Sequence, residues 1–280
     1  MNLLFSFIIA SGLAYHGIRK KSLSISGSIT AFLLGFGTLI SEWSVFPVMM
    51  LVFYFTSSKL TKYGAERKKH LEEDHLEGGQ RTATQVICNA LTGTVIVLIH
   101  QYHYGGNLRC LIDDRGSRML LYMCLGHYST CNGDTWASEL GILSNSWPIL
   151  ITSFKKVPPG TNGGISELGL FASIMGGFII GISAVISIYL SCGSCNFWLE
   201  IISVSSIAGL LGSLIDSFLG ATIQISVYSE KSHKITYKES KSSDTRIVSG
   251  INLLDNNQVN FVSSLITALV TGYMADRIIG

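Results

Sequence analysis

Eight apolar segments divide this chain, and its charged residues crowd into the short stretches between them. The segments are centred on Leu3 to Tyr15, Ile25 to Ile40, Val45 to Phe55, Val86 to His100, Met119 to Cys131, Leu168 to Leu190, Leu199 to Ile215 and Val259 to Met274. Only 14% of the 280 residues are charged, against roughly a quarter in a soluble domain, and the mean hydropathy is +0.41. This pattern excludes an ordinary water-soluble fold. It predicts an all-α, polytopic helical membrane protein of about eight transmembrane or membrane-embedded helices, forming one domain in the lipid bilayer over 1–280. Several segments fall short of the roughly 20 residues of a perpendicular span, so they recruit flanking residues or insert only in part. The 29 glycines suit helices packed closely where lipid supplies no hydrophobic drive between them. A net charge of +2 gives nucleic acid no electrostatic footing. Six cysteines are too scattered for a disulfide framework and read as small packing residues; Cys192 and Cys195, in one short loop, are placed to oxidise together.

Lys and Arg near short loops favour the cytosolic side. With the N-terminus outside, 16 of the 20 basic residues fall in cytosolic loops, leaving Arg109, Arg115, Arg118 and Arg277 outside. Both termini are then non-cytosolic. Removal of the first segment as a signal peptide is disfavoured, because its loss would invert every later loop. The long cytosolic loops are 58–85, 132–167 and 226–256, beside the short turn that carries Arg19, Lys20 and Lys21. The first mixes acids with bases and reads as helical. Ser226 to Ser249, rich in Ser, Lys and Tyr without periodicity, reads as a flexible excursion.

Carboxylates and amides that interrupt apolar helices are costly in a bilayer and need a partner or a task. Asn132 to Gly141 holds Asp134 and Glu139, Gly212 to Ala221 holds Asp216, and Leu254 to Asn260 holds Asp255, Asn256 and Asn257. Lys155 to Gly164 adds two lysines and the glycine-rich Gly160-Thr161-Asn162-Gly163-Gly164. The charge count places all four runs on the cytosolic face, where they can converge on one site. The first two also share an Asp, a hydroxyl residue and an aromatic in succession, a faint trace of a parallel internal repeat.

Asp134, Glu139, Asp216, Asp255 and Asn256 are hard oxygen ligands suited to Mg²⁺. The turn of Gly160, Thr161, Asn162, Gly163 and Gly164 can present backbone N–H groups to an anion, with Lys59, Arg81, Lys155 and Lys156 as counter-charges to phosphate. Metal-binding acids beside phosphate-binding groups are the parts of phosphoryl transfer, and the apolar helices around them admit a lipid tail. Each also has a plainer reading: Asp255 as a helix N-cap, Gly163-Gly164 as a tight turn, Lys155 and Lys156 as headgroup contacts. On an ideal helix Glu139 lies about 140° from Asp134, so both reach one metal only if the helix breaks. His127 reads as a packed histidine. The same acids are also compatible with an ion- or proton-coupled transporter built around a central site, or with a membrane protein without chemistry.

Gly133-Asp134-Thr135-Trp136-Ala137-Ser138-Glu139, Val157-Pro158 with Gly160 to Gly164, Gly209 to Ser213 with Asp216-Ser217 and Leu219-Gly220-Ala221, and Asp255-Asn256-Asn257 with Val259-Asn260 resemble the integral-membrane family of eukaryotic transmembrane protein 19. Ser57 to Lys62 and Glu77 to Arg81 fit the same resemblance, which runs along essentially the whole chain. That family also contains the plant phytyl-phosphate kinase, which makes an isoprenoid diphosphate from the monophosphate. The resemblance implies an isoprenoid or lipid monophosphate kinase using a nucleoside triphosphate, in an internal membrane such as the endoplasmic reticulum. Asp134, Asp216 and Asp255 are the expected catalytic residues.

Overall fold

The computed structural model describes residues 3–63, 80–106, 112, 114–144, 146–237 and 244–279. Eight helices occur among them: α1 Leu3–Arg19, α2 Ile25–Leu39, α3 Val45–Tyr63, α4 Ala83–Tyr104, α5 Arg115–Gly141, α6 Glu167–Cys192, α7 Trp198–Ile223 and α8 Asn256–Ile279. Their starts are written in side chains. Ser24 accepts the N–H of Gly27 ahead of α2, Thr82 and Gln85 form a capping box ahead of α4, and Ser166 accepts the N–H of Gly169 ahead of α6. Each bond satisfies a backbone donor that the first turn leaves open. Gly193, in the left-handed region at φ 73°, ends α6.

By length and composition, α4, α6 and α7 are the helices able to cross a membrane among the described residues; α1 and α2 are apolar but shorter. The polar character of α5 follows from its position. It packs against α3, α4, α6, α7 and α8, so protein rather than lipid surrounds it. Tyr122, Leu125 and Tyr128 of α5 are fully buried together with Phe46, Met49, Ile180 and Ile201. Where α5, α6 and α7 cross, backbones touch. A Cβ on Gly133 would lie 2.8 Å from the carbonyl oxygens of Gly209 and Ser173, and one on Gly176 would lie 2.8 Å from the Gly133 Cα.

The structure amends the sequence reading in four places. The stretch 132–141, expected as loop, is the final part of α5, and α7 runs through Asp216 to Ile223. Ser226 to Ser249 is not a flexible excursion among its described residues: β3 Ser226–Ser229, β4 Lys234–Thr236 and β5 Thr245–Ser249 form an antiparallel sheet in the order β4-β3-β5. Its pattern is short enough to hide, with Val227 and Ile235 turned inward. A second hairpin pairs β1 Ile149–Leu150 with β2 Gly164–Ile165, so the fold is mostly helical rather than all-α. Finally, Cys195 is free while Cys192 is disulfide-bonded, so these two are not joined. The expected helix over 64–79 lies outside the described residues.

Helices alternate in direction, which brings the C-terminal ends of α3, α5 and α7 beside the N-terminal ends of α4, α6 and α8. The same end carries the α1–α2 turn: Arg81 N–H donates to the Ser22 carbonyl at 3.0 Å, and Lys62 Nζ donates to the Lys20 carbonyl at 2.6 Å. The basic stretches therefore share one end of the bundle. The outer ends of α1 and α8 lie at the other.

Candidate functional site

A cavity of about 890 Å³ opens at that basic end. Asp134, Glu139, Asp216, Asp255, Asn256 and Arg81 all line it, as do Gly160, Thr161, Asn162, Gly163 and Gly164. Residues as far apart in the chain as Thr61 and Asn260 thus meet in one place. Lys59, Lys155 and Lys156 do not line it and are exposed. Arg81 is the basic residue of the expected phosphate set that lines the cavity.

Asp134 and Asp216 occupy matching positions. Each stands seven residues before the last residue of its helix, Gly141 in α5 and Ile223 in α7, which is about 10 Å along the axis. The two helices run the same way, and Asp134 stands level with Ser213, one helical turn before Asp216, with both acids lining the cavity. Ser213 Oγ donates to Asp134 Oδ1 at 3.0 Å, and Ser263 Oγ donates to Asp216 Oδ2 at 3.1 Å. With its amide nitrogen turned inward, Asn260 also donates to Asp216 Oδ2, at 3.0 Å, and to the Asn256 carbonyl. Beneath the pair, Asn132 fastens three helices. Its Oδ1 accepts from Thr56 and Ser57 of α3, each at 2.9 Å, and its Nδ2 donates to the Gly176 carbonyl of α6 at 2.8 Å.

Other expected ligands take different roles. Helix α5 is unbroken through Gly141, so Glu139 does not join Asp134 on one metal; its charge acts instead on Arg81. Asp255 caps α8, accepting the Gln258 N–H on Oδ1 at 2.9 Å while its own N–H donates to Gln258 Oε1. Among the described residues no group of three or more His, Cys, Asp or Glu side chains is arranged to hold a metal ion. Glu139 and Asp255 line the same cavity without joining Asp134 and Asp216 in such a group. Asp134 and Asp216 fit Mg²⁺, which takes one or two carboxylates with phosphate oxygens and water completing its shell.

In the glycine-rich turn, three of the five N–H groups are committed within the fold. The N–H of Thr161 donates to the Pro158 carbonyl, that of Asn162 to Ser226 Oγ at 3.0 Å, and that of Gly164 to the Thr161 carbonyl. These donors are spent on holding the turn. Gly163, at φ 78°, presses on α7, where a Cβ would sit 2.5 Å from the Ser217 carbonyl oxygen. Tyr237 OH donates to the Gly160 carbonyl and Ser249 Oγ to that of Asn162. The turn thus locks both small sheets over the cavity.

Arg81 is fixed by its backbone, which bridges Leu23 in parallel and accepts the Ser24 N–H at 3.0 Å. Its guanidinium carbon sits 5.5 Å from the centre of the Phe53 ring. Burial lowers the guanidinium pKa from its ordinary value and the Glu139 charge opposes that; an arginine stays cationic through such a change. Sequence reasoning missed Gln224, which is 3% exposed, lines the cavity, and has an Nε2 without a hydrogen-bond partner among the described residues. It also missed Ser213 and Ser263. Ser263 belongs to a polar stripe of Asn256, Asn260, Ser263, Thr267 and Thr271 along one face of α8, a spacing legible in the sequence. His127, as expected, is packed, with Nε2 3.1 Å from the Asn89 carbonyl oxygen.

A helical bundle with apolar spans and a polar cavity at one end defines a multi-pass membrane protein. The chain belongs to the family described as integral membrane protein DUF92, which it matches over residues 8–268. It is 41% identical to Protein PGR of Arabidopsis thaliana over 276 residues, 96% of this chain and 94% of that one. An uncharacterized membrane protein of Methanocaldococcus jannaschii is 27% identical, covering 80% of this chain and 84% of its own. Protein VTE6, chloroplastic, of Arabidopsis thaliana is 26% identical over 80% of this chain and 61% of its own. No solved structure matches.

Proposed function

We propose that this protein is a kinase of isoprenoid or lipid monophosphates, acting at the basic face of its membrane. The observation that carries the reading is the presence of Asp134 and Asp216, about one helical turn apart in depth, in a cavity that also holds Arg81 and the open donor of Gln224. In the reaction, an oxygen of the acceptor monophosphate attacks the terminal phosphorus of a nucleoside triphosphate. The bond from that phosphorus to its bridging oxygen breaks, and the nucleoside diphosphate leaves. The acceptor oxygen is already anionic, so no general base is required. Asp134 and Asp216 would hold Mg²⁺, which supplies charge neutralisation across the phosphates. Arg81 binds phosphate oxygens, steadied by Glu139, and Gln224 donates to another.

The resemblance to the family of transmembrane protein 19, which also contains the plant phytyl-phosphate kinase, supports this reading and suggests an internal membrane such as the endoplasmic reticulum; the chain is also 26% identical to Protein VTE6, chloroplastic. The apolar segments suggest about eight membrane-embedded helices, and the charge count a cytosolic basic face. Depth favours a kinase over an ion- or proton-coupled carrier. The acids lie about 10 Å from one end of helices whose other ends are nearly three times as far, with the buried layer of Tyr122, Leu125 and Tyr128 on the far side.

The test is direct: purified protein given a prenyl monophosphate, a nucleoside triphosphate and Mg²⁺ is expected to form the diphosphate. Asp134→Asn is expected to abolish turnover without loss of expression. An active Asp134→Asn protein, or a wild type that moves ions and transfers no phosphate, overturns the assignment.

A further inference from the structure

A second, apolar crevice lies between α1, α2, α3 and α4, lined by residues such as Ala10, Leu13, Ala31, Gly35, Met50 and Phe53. Arg81, Gln85 and Asn89 line both this crevice and the polar cavity. An apolar space therefore meets a polar one at a fixed cation. Gly35 is buried, yet a Cβ built on it meets nothing within 4 Å. Interiors normally fill such space, so the wall at Gly35 faces room that the chain's own side chains leave open.

We infer that this crevice holds the hydrocarbon chain of a phosphate-bearing lipid, with Arg81 at the junction binding its phosphate. The inference deepens the proposed function and rests on it for the identity of the phosphate acceptor. The occupant follows from the lining. A volume of about 80 Å³ is roughly half that of an engineered cavity that takes benzene, so it admits one chain end-on and excludes a ring system. The rest of the chain leaves between α1 and α2, whose exposed Ile8, Ile29 and Leu33 face outward as lipid-facing residues do. Burial of the chain and neutralisation of its phosphate occur at adjoining points, which sets the phosphate beside the cavity that holds Asp134 and Asp216.

The experiment uses the full chain in lipid nanodiscs and a prenyl monophosphate carrying a diazirine on the isoprene unit next to the phosphate. After irradiation, adducts are expected on α1, α2 or α4 around Leu13, Gly35 and Val86. Unlabelled prenyl monophosphate is expected to compete better than the corresponding prenol, and Arg81→Gln to erase that difference. Gly35→Phe is expected to cut labelling about tenfold, the equivalent of about two buried methylenes. Ala31→Leu serves as the milder filling variant, and the wild-type map stands even where both misfold. Adducts confined to α6, α7 or α8, or equal competition by prenol, overturn the inference. Turnover is measured in parallel: labelling in the crevice without diphosphate formation keeps the chain site and sinks the kinase, and turnover with labelling elsewhere does the reverse.

Discussion

The hydroxyl of Ser213 donates to Asp134 Oδ1 at 3.0 Å, one helical turn ahead of Asp216 on the same side of α7. One short side chain thus ties the helix of the first acid to the helix of the second and aims the first carboxylate.

Ser213→Ala removes that tie. A hydrogen bond to a charged group contributes about 1.5 to 3 kcal/mol, and part of it here goes to aiming the carboxylate. The Mg²⁺ concentration for half-maximal turnover is expected to rise several-fold while expression is kept. An unchanged Mg²⁺ titration would show that the hydroxyl does not aim Asp134.

Asn132 and Asp134 are two residues apart and divide structure from chemistry. Asn132→Leu leaves the Ser57 hydroxyl and the Gly176 carbonyl without the bonds that Asn132 gave them, at about 1 to 3 kcal/mol for each orphaned group. The thermal midpoint in detergent is expected to fall by several degrees. Asp134→Asn is expected to move the midpoint little and the activity fully.

Gln224 carries a buried donor with no protein partner among the described residues, and such a donor costs stability until something accepts from it. Gln224→Met is expected to raise the thermal midpoint and to weaken nucleotide or prenyl-phosphate binding, read by ligand-induced thermal shift. A variant that loses stability and keeps binding would assign the amide a structural role.

Acid stability rests in part on Asp114, the N-cap of α5. The Ser117 N–H donates to its Oδ1 at 2.8 Å, and that bond, with one from Tyr104, holds the carboxyl below the usual carboxylate range. A depressed folded pKa contributes stability that is present above the unfolded value, near 3.9, and is lost as pH falls through the folded value. Asp114→Ala is expected to lower stability at neutral pH and to flatten the decline below about pH 4, checked by thermal melts across pH.

The apolar segments located each of the eight helices among the described residues because apolar length is a local signal. They ended α5 and α7 too early because polar residues that line a cavity read as loop when no neighbour is visible. Asp134 and Asp216 were legible as acids among small and apolar residues. The turn at Gly160 to Gly164 was legible as a glycine-rich stretch, but not that the N–H groups of Thr161, Asn162 and Gly164 bond to Pro158, Ser226 and Thr161. Nor does the sequence show that Lys155 and Lys156 lie off the cavity wall, since proximity in the chain is not access to the cavity. The sheet from Ser226 to Ser249 escaped because strands of three to five residues offer too few alternations to count. Gln224 carries no local mark at all; only the partnerless amide reveals it.

The glycine contacts at Gly133, Gly176 and Gly209 set a limit on how this molecule can move. Main chains in direct touch have no rotamers to readjust, so the platform under the two aspartates keeps its spacing whether the cavity is full or empty. Any gating must then come from the periphery, through the strand-built roof or the first two helices, and exchange of ligands becomes a matter of opening the rim rather than rebuilding the floor.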